Sequence, residues 1–337
     1  MKKKRYIGMT AIIALLLAFA TFFHLPYYVT MPGTAEPLRP LVEVRGGYKE
    51  KGQFMLTTVR MGQANLFSFA FAHISKYNEL YRMDEVRQEG ESDEEYTHRQ
   101  LKMMESSKET AIAVAYKKAN KPFSYRNKGV YVLYVVDGMP AANVLKSGDQ
   151  IVAVDGQRIN EADEFIQYVS EKKEGERIRV TYKRSGKEKT ATLTLAPFPK
   201  EKHRVGLGLS VMTDRDIVTD PPVRIESDQI GGPSAGLMFT LEVYNQLVPQ
   251  DLTKGYRIAG TGTINIDGEV GPIGGISQKV IAAHKAGADI FFAPNERGAK
   301  HSNYKEAVKT AKDIGTKMKI VPVDTLDDAI QFLQKLS

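Results

Sequence analysis

The stretch QIGGPSAGLM, residues 229–238, places two glycines and a proline directly before a serine, and an apolar run follows. Proline suits the first position of a helix, because its missing N–H would be unpaired there in any case. Beyond the serine, apolar residues recur with the period of a helix: Leu237, Leu241, Tyr244 and Val248. The pattern therefore predicts a helix that Gly231-Gly232-Pro233 open, with Ser234 in its first turn.

The first turn of a helix is a place where negative charge is stabilised, since free backbone N–H groups and the positive end of the helix dipole meet there. Ser234 is thus a candidate nucleophile, and the backbone N–H of Ala235 is a candidate oxyanion donor. A serine hydroxyl needs a base. None of the six histidines lies in a recognisable triad motif, and neither G-x-S-x-G nor H-E-x-x-H occurs. Two alternative roles for this segment are a plain helix start and a glycine loop that binds phosphate. The second is weaker, because no Lys or Arg follows at a position from which it could bind the phosphate.

A candidate base lies in GEVGPIGGISQKVIAAHKAGAD, residues 268–289. The apolar positions of the predicted helix are Ile276, Val280 and Ala283, and Lys279 lies on the same stripe. Burial would lower the pKa of its amine, and a neutral amine accepts a proton from a serine. Taken alone, this lysine fits a side chain that snorkels over apolar surface. The presence of GGPSAG in the same sequence favours instead the interpretation of Lys279 as a general base.

Three motifs together resemble the Lon-type serine proteases, which use a Ser–Lys dyad instead of a triad. The matching segments are GPSAG (232–236), GTG (260–262) and PIGGISQKVIAAHKAG (272–287). The resemblance covers about residues 200–337, and the strands near 41–60 are expected to join the same domain.

The resemblance implies roles for three side chains. Ser234 would be the nucleophile, Lys279 the general base, and Thr261 a hydrogen-bond partner that orients the amine. Two positions depart from the pattern. Typical Lon proteases have an acidic residue where Gly231 stands and a glutamate where Thr263 stands, which indicates a subfamily with a different surround of the active site.

A second resemblance concerns a block of short strands with one helix, which carries Gly138-Met139-Pro140-Ala141, Gly148-Asp149-Gln150-Ile151 and Val154-Asp155-Gly156. These segments resemble a PDZ domain of the bacterial protease type. Such domains bind an extended peptide as an added strand and hold its terminal carboxylate with backbone amides. The stretch YRNKGVYV (125–132) is the expected carboxylate-binding segment.

The N-terminus predicts a membrane anchor. Residues 6–23, YIGMTAIIALLLAFATFF, carry no charge, and Lys2, Lys3, Lys4 and Arg5 in front of them supply four of the basic charges in a chain of net charge +7. A run of roughly 18 residues is at the short end of what spans a bilayer, and a basic cluster stays in the cytoplasm. The expected location is the cell membrane, single-pass, with the catalytic domain outside. Ala18-Phe19-Ala20 resembles a signal-peptidase site, so cleavage after Ala20 stays an alternative.

The expected fold class is α+β or α/β: an N-terminal transmembrane helix, and a PDZ-type β-rich domain inserted into a Lon-type proteolytic α/β domain. The predicted organisation is a basic stub and anchor (1–28), a linker (29–40), opening strands of the protease domain (41–70), a helical charged insertion (71–120), the PDZ domain (121–198) and the Lon-type proteolytic domain (199–337). This layout resembles the membrane-anchored, PDZ-containing Lon-like proteases of Gram-positive bacteria.

The composition restricts the function further. Cysteine is absent, which excludes disulfides and thiolate metal sites. The sequence contains no basic stripe with interleaved aromatic residues, which would indicate binding to nucleic acid. It also contains no G-x-x-x-x-G-K-[ST] motif, which would indicate an ATPase module. The sequence predicts an ATP-independent serine endopeptidase for flexible or small envelope or membrane proteins, with no cofactor and no metal. The resemblance also implies a homo-oligomeric ring. A non-catalytic membrane scaffold that recruits partners through the PDZ domain is the alternative.

Overall fold

The computed structural model of the chain describes residues 2–88, 90–199, 201, 203–227 and 230–336. Gln229 of the serine motif and the side chains of Lys2–Arg5 in the predicted basic stub lie outside the described part. The first segment of the chain comprises α1 (Lys2–Phe22), β1 (His24–Pro37), β2 (Val42–Val44), β3 (Gln53–Asn65), α2 (Leu66–Ile74), β4 (Glu79–Arg82), α3 (Met83–Val86) and α4 (Asp93–Lys118). The middle segment comprises β5 (Phe123–Val135), β6 (Gln150–Val154), β7 (Gln157–Arg158), α5 (Ala162–Ser170), β8 (Arg177–Arg184), β9 (Lys187–Thr194), β10 (Ala196–Pro197), β11 (Val205–Gly206) and β12 (Leu209–Thr219). The last segment comprises β13 (Val223–Ile225), α6 (Gly236–Leu247), β14 (Arg257–Gly260), β15 (Thr263–Ile264), β16 (Val270–Gly271), α7 (Ile276–Lys285), β17 (Ile290–Pro294), a 3-10 turn (Glu296–Gly298), α8 (Asn303–Asp313), β18 (Lys319–Val323) and α9 (Leu326–Gln334).

The first of two six-stranded sheets in the described part joins early and late segments of the chain. Its strand order is β18-β17-β14-β3-β1-β4. Strand β14 pairs in parallel with β17 on one side and with β3 on the other, and β1 pairs antiparallel with β3 and with β4. The early strands therefore complete a sheet whose other strands lie more than 190 residues later.

Helices cover both faces of this sheet, because side chains along a strand alternate between its faces. On β3, Phe54 and Leu56 enter a core shared with α4, α6 and α9. Met55, between them, faces the opposite core with Ile276 and Val280 of α7. The mixed α/β class expected from the sequence is confirmed.

The second six-stranded sheet has the order β12-β5-β6-β8-β9, with β7 attached to β6, and packs around its own core with α5. Strand β12, residues 209–219, pairs antiparallel with β5 along nearly its whole length. The prediction placed these residues in the proteolytic domain, and their backbone pairing in the structure makes them the edge strand of this second sheet. Residue pattern alone did not distinguish the two placements, because the pairing joins segments about 85 residues apart.

The predicted linker at 29–40 is also corrected, since most of it forms β1. Pro32 and Gly33 suggested a tether, but they lie at an irregularity where the pairing of β1 with β3 shifts register between Pro32 and Ala35. Bulged positions accept proline and glycine within a strand. The predicted insertion at 71–120 likewise contains a strand, β4, beside its helices.

The predicted single-pass membrane location is wrong for the part of the chain that the structure describes, where no helix has both the length and the apolar character to cross a bilayer. Helix α1 ends at Phe22, and β1 begins at His24.

Helix α6 carries an unusual buried acid behind the serine motif. Glu242 is fully buried; it accepts a hydrogen bond from Gln246 through one oxygen, and its other oxygen has no partner among the described residues. Burial, reinforced by the nearby Glu50, raises the pKa of Glu242 to about 8. The carboxyl is therefore largely neutral at pH 7.

Replacing Glu242 with Gln should stabilise the protein at alkaline pH. The raised pKa means that the folded state holds the Glu242 proton more tightly than the unfolded chain does. This tighter proton binding contributes fully to stability below about pH 4.5, and the contribution is lost as the pH rises through about 8. Urea unfolding from pH 5 to pH 9 should show a steeper loss of stability for wild type than for Glu242→Gln. The exposed Glu174→Gln serves as the control, and equal slopes in all three proteins would contradict the prediction.

Candidate active site

Three side chains from separate segments of the chain meet at the N-terminal end of α6. The Lys279 Nζ lies 2.7 Å from the Ser234 Oγ and 2.9 Å from the Thr261 Oγ1. The Thr261 hydroxyl in turn donates to the backbone oxygen of Ser234 at 2.9 Å. The structure thus brings together the three residues that the sequence predicted, although they are 45 and 18 residues from the lysine along the chain.

Lys279 is buried, with only 4% of its surface exposed, and its ammonium would have no carboxylate partner among the described residues. Burial alone lowers its pKa to about 7. A lysine with this pKa is about half neutral near pH 7, and its amine lies within hydrogen-bond distance of the Ser234 hydroxyl.

The lysine reaches this position because of the glycine turn before α7. Gly275 has φ of 69°, a left-handed conformation that favours glycine, and a Cβ there would lie 2.7 Å from a side-chain carbon of Val59. Helix α7 can therefore begin close against β3. Its apolar residues Ile276 and Val280 enter the core, and Lys279 lies between them.

The residues directly after β14 supply the threonine and hold the serine. The Gly262 N–H donates to the Ser234 backbone oxygen at 2.9 Å, so this oxygen accepts from two successive residues. On the neighbouring strand, the buried Thr57 hydroxyl donates to the Gly260 carbonyl at 3.0 Å. Thr57 was not predicted from the sequence. The adjacent Thr58 is the same residue type, and only the pairing of β3 with β14 determines which of the two hydroxyls reaches the Gly260 carbonyl.

The serine lies just before the helix and not in its first turn. Helix α6 begins at Gly236, and Ser234 and Ala235 form the turn that leads into it. The predicted start at Pro233 was early by about one turn. The backbone N–H groups of Ser234 and Ala235 form no hydrogen bond with any described residue. They are therefore available to an anion at this point.

A cleft of about 1030 Å³ opens over the serine. Its walls come from β1, β3, α4, the turn at 272–274 and the nucleophile loop, which we define as residues 230–235. Ser234 and Lys279 both reach it. Of the strands near 41–60 that were expected to join this domain, β3 forms part of the cleft wall, and β1, in the segment predicted as a linker, forms another part.

Backbone groups are also free at the edge of the second sheet, where β12 lies. Strand β12 ends the strand order, and the N–H of Ala162 in α5 donates to its Thr213 side chain at 3.0 Å. Just before β12, the N–H groups of Leu207 and Gly208 form no hydrogen bond with the described residues. The expected carboxylate-binding stretch at 125–132 instead lies within β5, where β12 takes up one edge of the strand.

Comparisons with known proteins agree with these two sheets. The PDZ domain family model matches residues 104–195, and the model of the Lon protease (S16) C-terminal proteolytic domain matches residues 209–335. The chain contains a PDZ domain and a Lon-type proteolytic domain. Strand β12 falls within the match to the proteolytic domain, although its hydrogen bonds are to the PDZ sheet.

The relatives are Lon proteases. The chain is 38% identical over 101 residues to a Lon protease from Campylobacter concisus and 32% identical over 102 residues to one from Mycoplasma mobile, in each case 30% of this chain. It spans only 12% and 11% of the length of these two relatives. Among solved structures, the PDZ domain of an SdrC-like protein from Listeria monocytogenes is 37% identical, with 26% of this chain and 90% of that chain covered and a TM-score of 0.24.

Proposed function

We propose that this chain is an ATP-independent serine endopeptidase that uses Ser234 and Lys279 as a catalytic dyad. The observation that carries the proposal is the 2.7 Å distance between the Ser234 Oγ and a buried lysine amine whose pKa is lowered to about 7. A nucleophile and a base within hydrogen-bond distance, with a third group that orients the base, are the parts that acyl transfer requires.

In the proposed reaction, the Ser234 Oγ attacks a peptide carbonyl carbon while the Lys279 amine takes the hydroxyl proton. The negative charge on the carbonyl oxygen is stabilised by the backbone N–H groups of Ser234 and Ala235, which have no other partner in the described part of the chain. The ammonium then gives its proton to the leaving amine, and an ester with Ser234 remains. Lys279 next accepts a proton from water, whose oxygen attacks the ester carbonyl carbon. As the bond to the Ser234 Oγ breaks and the acid leaves, the ammonium returns this proton to the Ser234 Oγ, which restores the serine hydroxyl and the neutral amine.

Flexible proteins and short peptides are the proposed substrates. The sequence holds no G-x-x-x-x-G-K-[ST] motif, so this chain has no identifiable module that would unfold a folded substrate with ATP. The free edge of β12 and the free amides of Leu207 and Gly208 support peptide recruitment by strand addition, with the terminal carboxylate at the amides. The ring assembly implied by the resemblance stays a prediction.

The direct test is hydrolysis of a disordered protein such as casein by the purified chain, with and without ATP. We expect cleavage at the same rate in both cases, inhibition by a peptide boronate, and a fluorophosphonate adduct located on Ser234 by mass spectrometry. Binding of peptides to the PDZ domain without cleavage or adduct would favour the scaffold alternative. Dependence on ATP would contradict the proposed independence.

The pH dependence should follow the titration of Lys279. Its neutral form is the base, and burial lowers its pKa to about 7, so kcat/KM should fall about tenfold per unit below pH 7 and level off above it. The measurement is the initial rate on a short peptide with low substrate concentration from pH 5 to pH 9. A rate that is unchanged down to pH 5 would exclude Lys279 as the general base.

Thr261 should contribute by orienting the amine. Its hydroxyl lies 2.9 Å from the Lys279 Nζ and binds the Ser234 carbonyl, so Thr261→Val should lower kcat by about 10- to 100-fold. Thr261→Ser keeps the hydroxyl and should retain most of the activity. Loss of activity in Thr261→Ser together with retention in Thr261→Val would indicate that the packing of the methyl group, and not the hydrogen bonds, is what matters.

A further inference from the structure

One face of helix α4 holds the nucleophile loop. The backbone oxygen of Gln100 accepts from the Gly232 N–H at 2.9 Å, and the Ser107 hydroxyl donates to the Pro233 oxygen at 3.0 Å. Gln100 and Ser107 are seven residues apart and so lie on the same side of the helix, two turns from each other. Both contacts end on residues immediately before the nucleophile.

The approach of α4 to this loop depends on Gly231. A Cβ at this position would lie 2.8 Å from the Gln100 Cβ, closer than side-chain carbons come. Typical Lon proteases have an acidic residue where Gly231 stands. In this chain the helix occupies the space that such a side chain would need, and it binds the loop directly.

The opposite face of α4 is held by the PDZ sheet. The Lys102 ammonium binds Asp214 of β12 at 2.8 Å, and both side chains are nearly buried, with 13% and 11% exposed. Glu109 pairs with Arg215 of the same strand at 3.5 Å. Lys102 and Glu109 are again seven residues apart, and each lies about 200° around the helix from Gln100 or Ser107.

We propose that α4 is a strut that sets the position of Ser234 and is itself held in place by the PDZ domain. The PDZ domain would then position the nucleophile as well as recruit peptides, which rests on the function proposed above. Strand β12, which holds Lys102, is also the free edge available to a peptide. A shift of about 1 Å at a reacting atom can cost roughly 100-fold in rate, so a loosened strut should lower kcat.

The kinetic test breaks the contact between α4 and the PDZ sheet, on the face of the helix opposite the nucleophile loop. Lys102→Met removes the ammonium and keeps most of the stem; it should lower kcat about tenfold with KM changed by less than twofold, and Lys102→Arg should restore it. The control is Lys117→Met, an exposed position on the same helix, which should leave both constants unchanged. Equal kcat for Lys102→Met and Lys117→Met would overturn the inference.

A double-mutant cycle tests whether the two faces act through one helix. Ser107→Ala should lower kcat, while Ser106→Ala, its neighbour without a hydrogen bond to the loop, should not. If α4 is a strut, Lys102→Met combined with Ser107→Ala should lose little more than the larger single effect. If the reduction in kcat of the double variant equals the product of the two single reductions, the contacts act independently and the proposal is overturned.

Hydrogen exchange at the Gly232 amide gives a readout that does not depend on hydrolysis. This amide is bound to Gln100, so Lys102→Met should accelerate its exchange about tenfold, and Lys117→Met should not. Unchanged exchange would overturn the strut even if Ser234 is the nucleophile. Conversely, if Ser234→Ala leaves hydrolysis intact, the proposed function fails, and the exchange rate still decides the role of α4.

Discussion

Replacing Lys279 with Met should abolish peptide hydrolysis and, at the same time, make the protein more stable. The amine is the only base within hydrogen-bond distance of the Ser234 hydroxyl in the described part of the chain, so kcat should fall on the order of 10⁴-fold. The fold benefits because the folded state binds the lysine proton less tightly than the unfolded chain does. The usual pKa of 10.5 falls to about 7, and each unit corresponds to about 1.4 kcal/mol.

The pH dependence of this stabilisation gives it a clear signature. Since the pKa of Lys279 is lowered on folding, its penalty is complete below about pH 7 and disappears as the pH rises towards 10.5. Urea unfolding should therefore show Lys279→Met to be several kcal/mol more stable than wild type at pH 7, and the two should converge near pH 10. The control is Lys285→Met, an exposed lysine of the same helix, which should change neither activity nor stability. A Lys279→Met protein that is less stable than wild type at pH 7 would contradict the buried, neutral amine.

Replacing Ser234 with Ala should also remove hydrolysis, by on the order of 10⁴-fold or more, because no covalent ester can form. The fold should tolerate the change. Ser234 is only half-buried, and the loop around it is held by backbone groups: the Gly262 N–H binds the Ser234 oxygen, and the Gln100 oxygen binds the Gly232 N–H.

The measurement is casein cleavage together with fluorophosphonate labelling, with Ser170→Ala as the matched control on an exposed helix of the PDZ domain. Loss of both signals in Ser234→Ala, with both retained in Ser170→Ala, is expected. Retention of more than a tenth of the activity by Ser234→Ala would show that another nucleophile acts. Together with Lys279→Met, this variant separates the two halves of the dyad, since only the lysine variant should gain stability.

Local pattern was sufficient to place the reacting groups. Glycines before Ser234 and Lys279 mark sharp turns, and the lysine lies on an apolar stripe where a charge is out of place. These are properties of short segments, because helix periodicity and glycine conformations depend on near neighbours. The burial of Lys279 follows from the stripe, and the structure bears this out with 4% exposure.

Local pattern was misleading where pairing between distant segments decides. Pro32 and Gly33 suggested a linker, yet they lie within β1. The pairing of segment 209–219 with β5 of the PDZ sheet was not predicted. Residues 71–120 were expected only as a helical charged insertion, yet the backbone of Gln100 binds the nucleophile loop. In each case a residue far along the chain supplies the partner.

The sequence by itself thus pointed to the residues of the proposed site: a serine before a helix, a lysine on an apolar face and a threonine after a nearby strand. Only the tertiary structure decided what surrounds that chemistry, namely the strands that complete the sheet, the edge open to a peptide and the helix between the PDZ domain and Ser234. The reason is physical. Turns and amphipathic faces depend on residues a few positions apart, whereas strand pairing and helix docking depend on surfaces that meet only when the whole chain has folded.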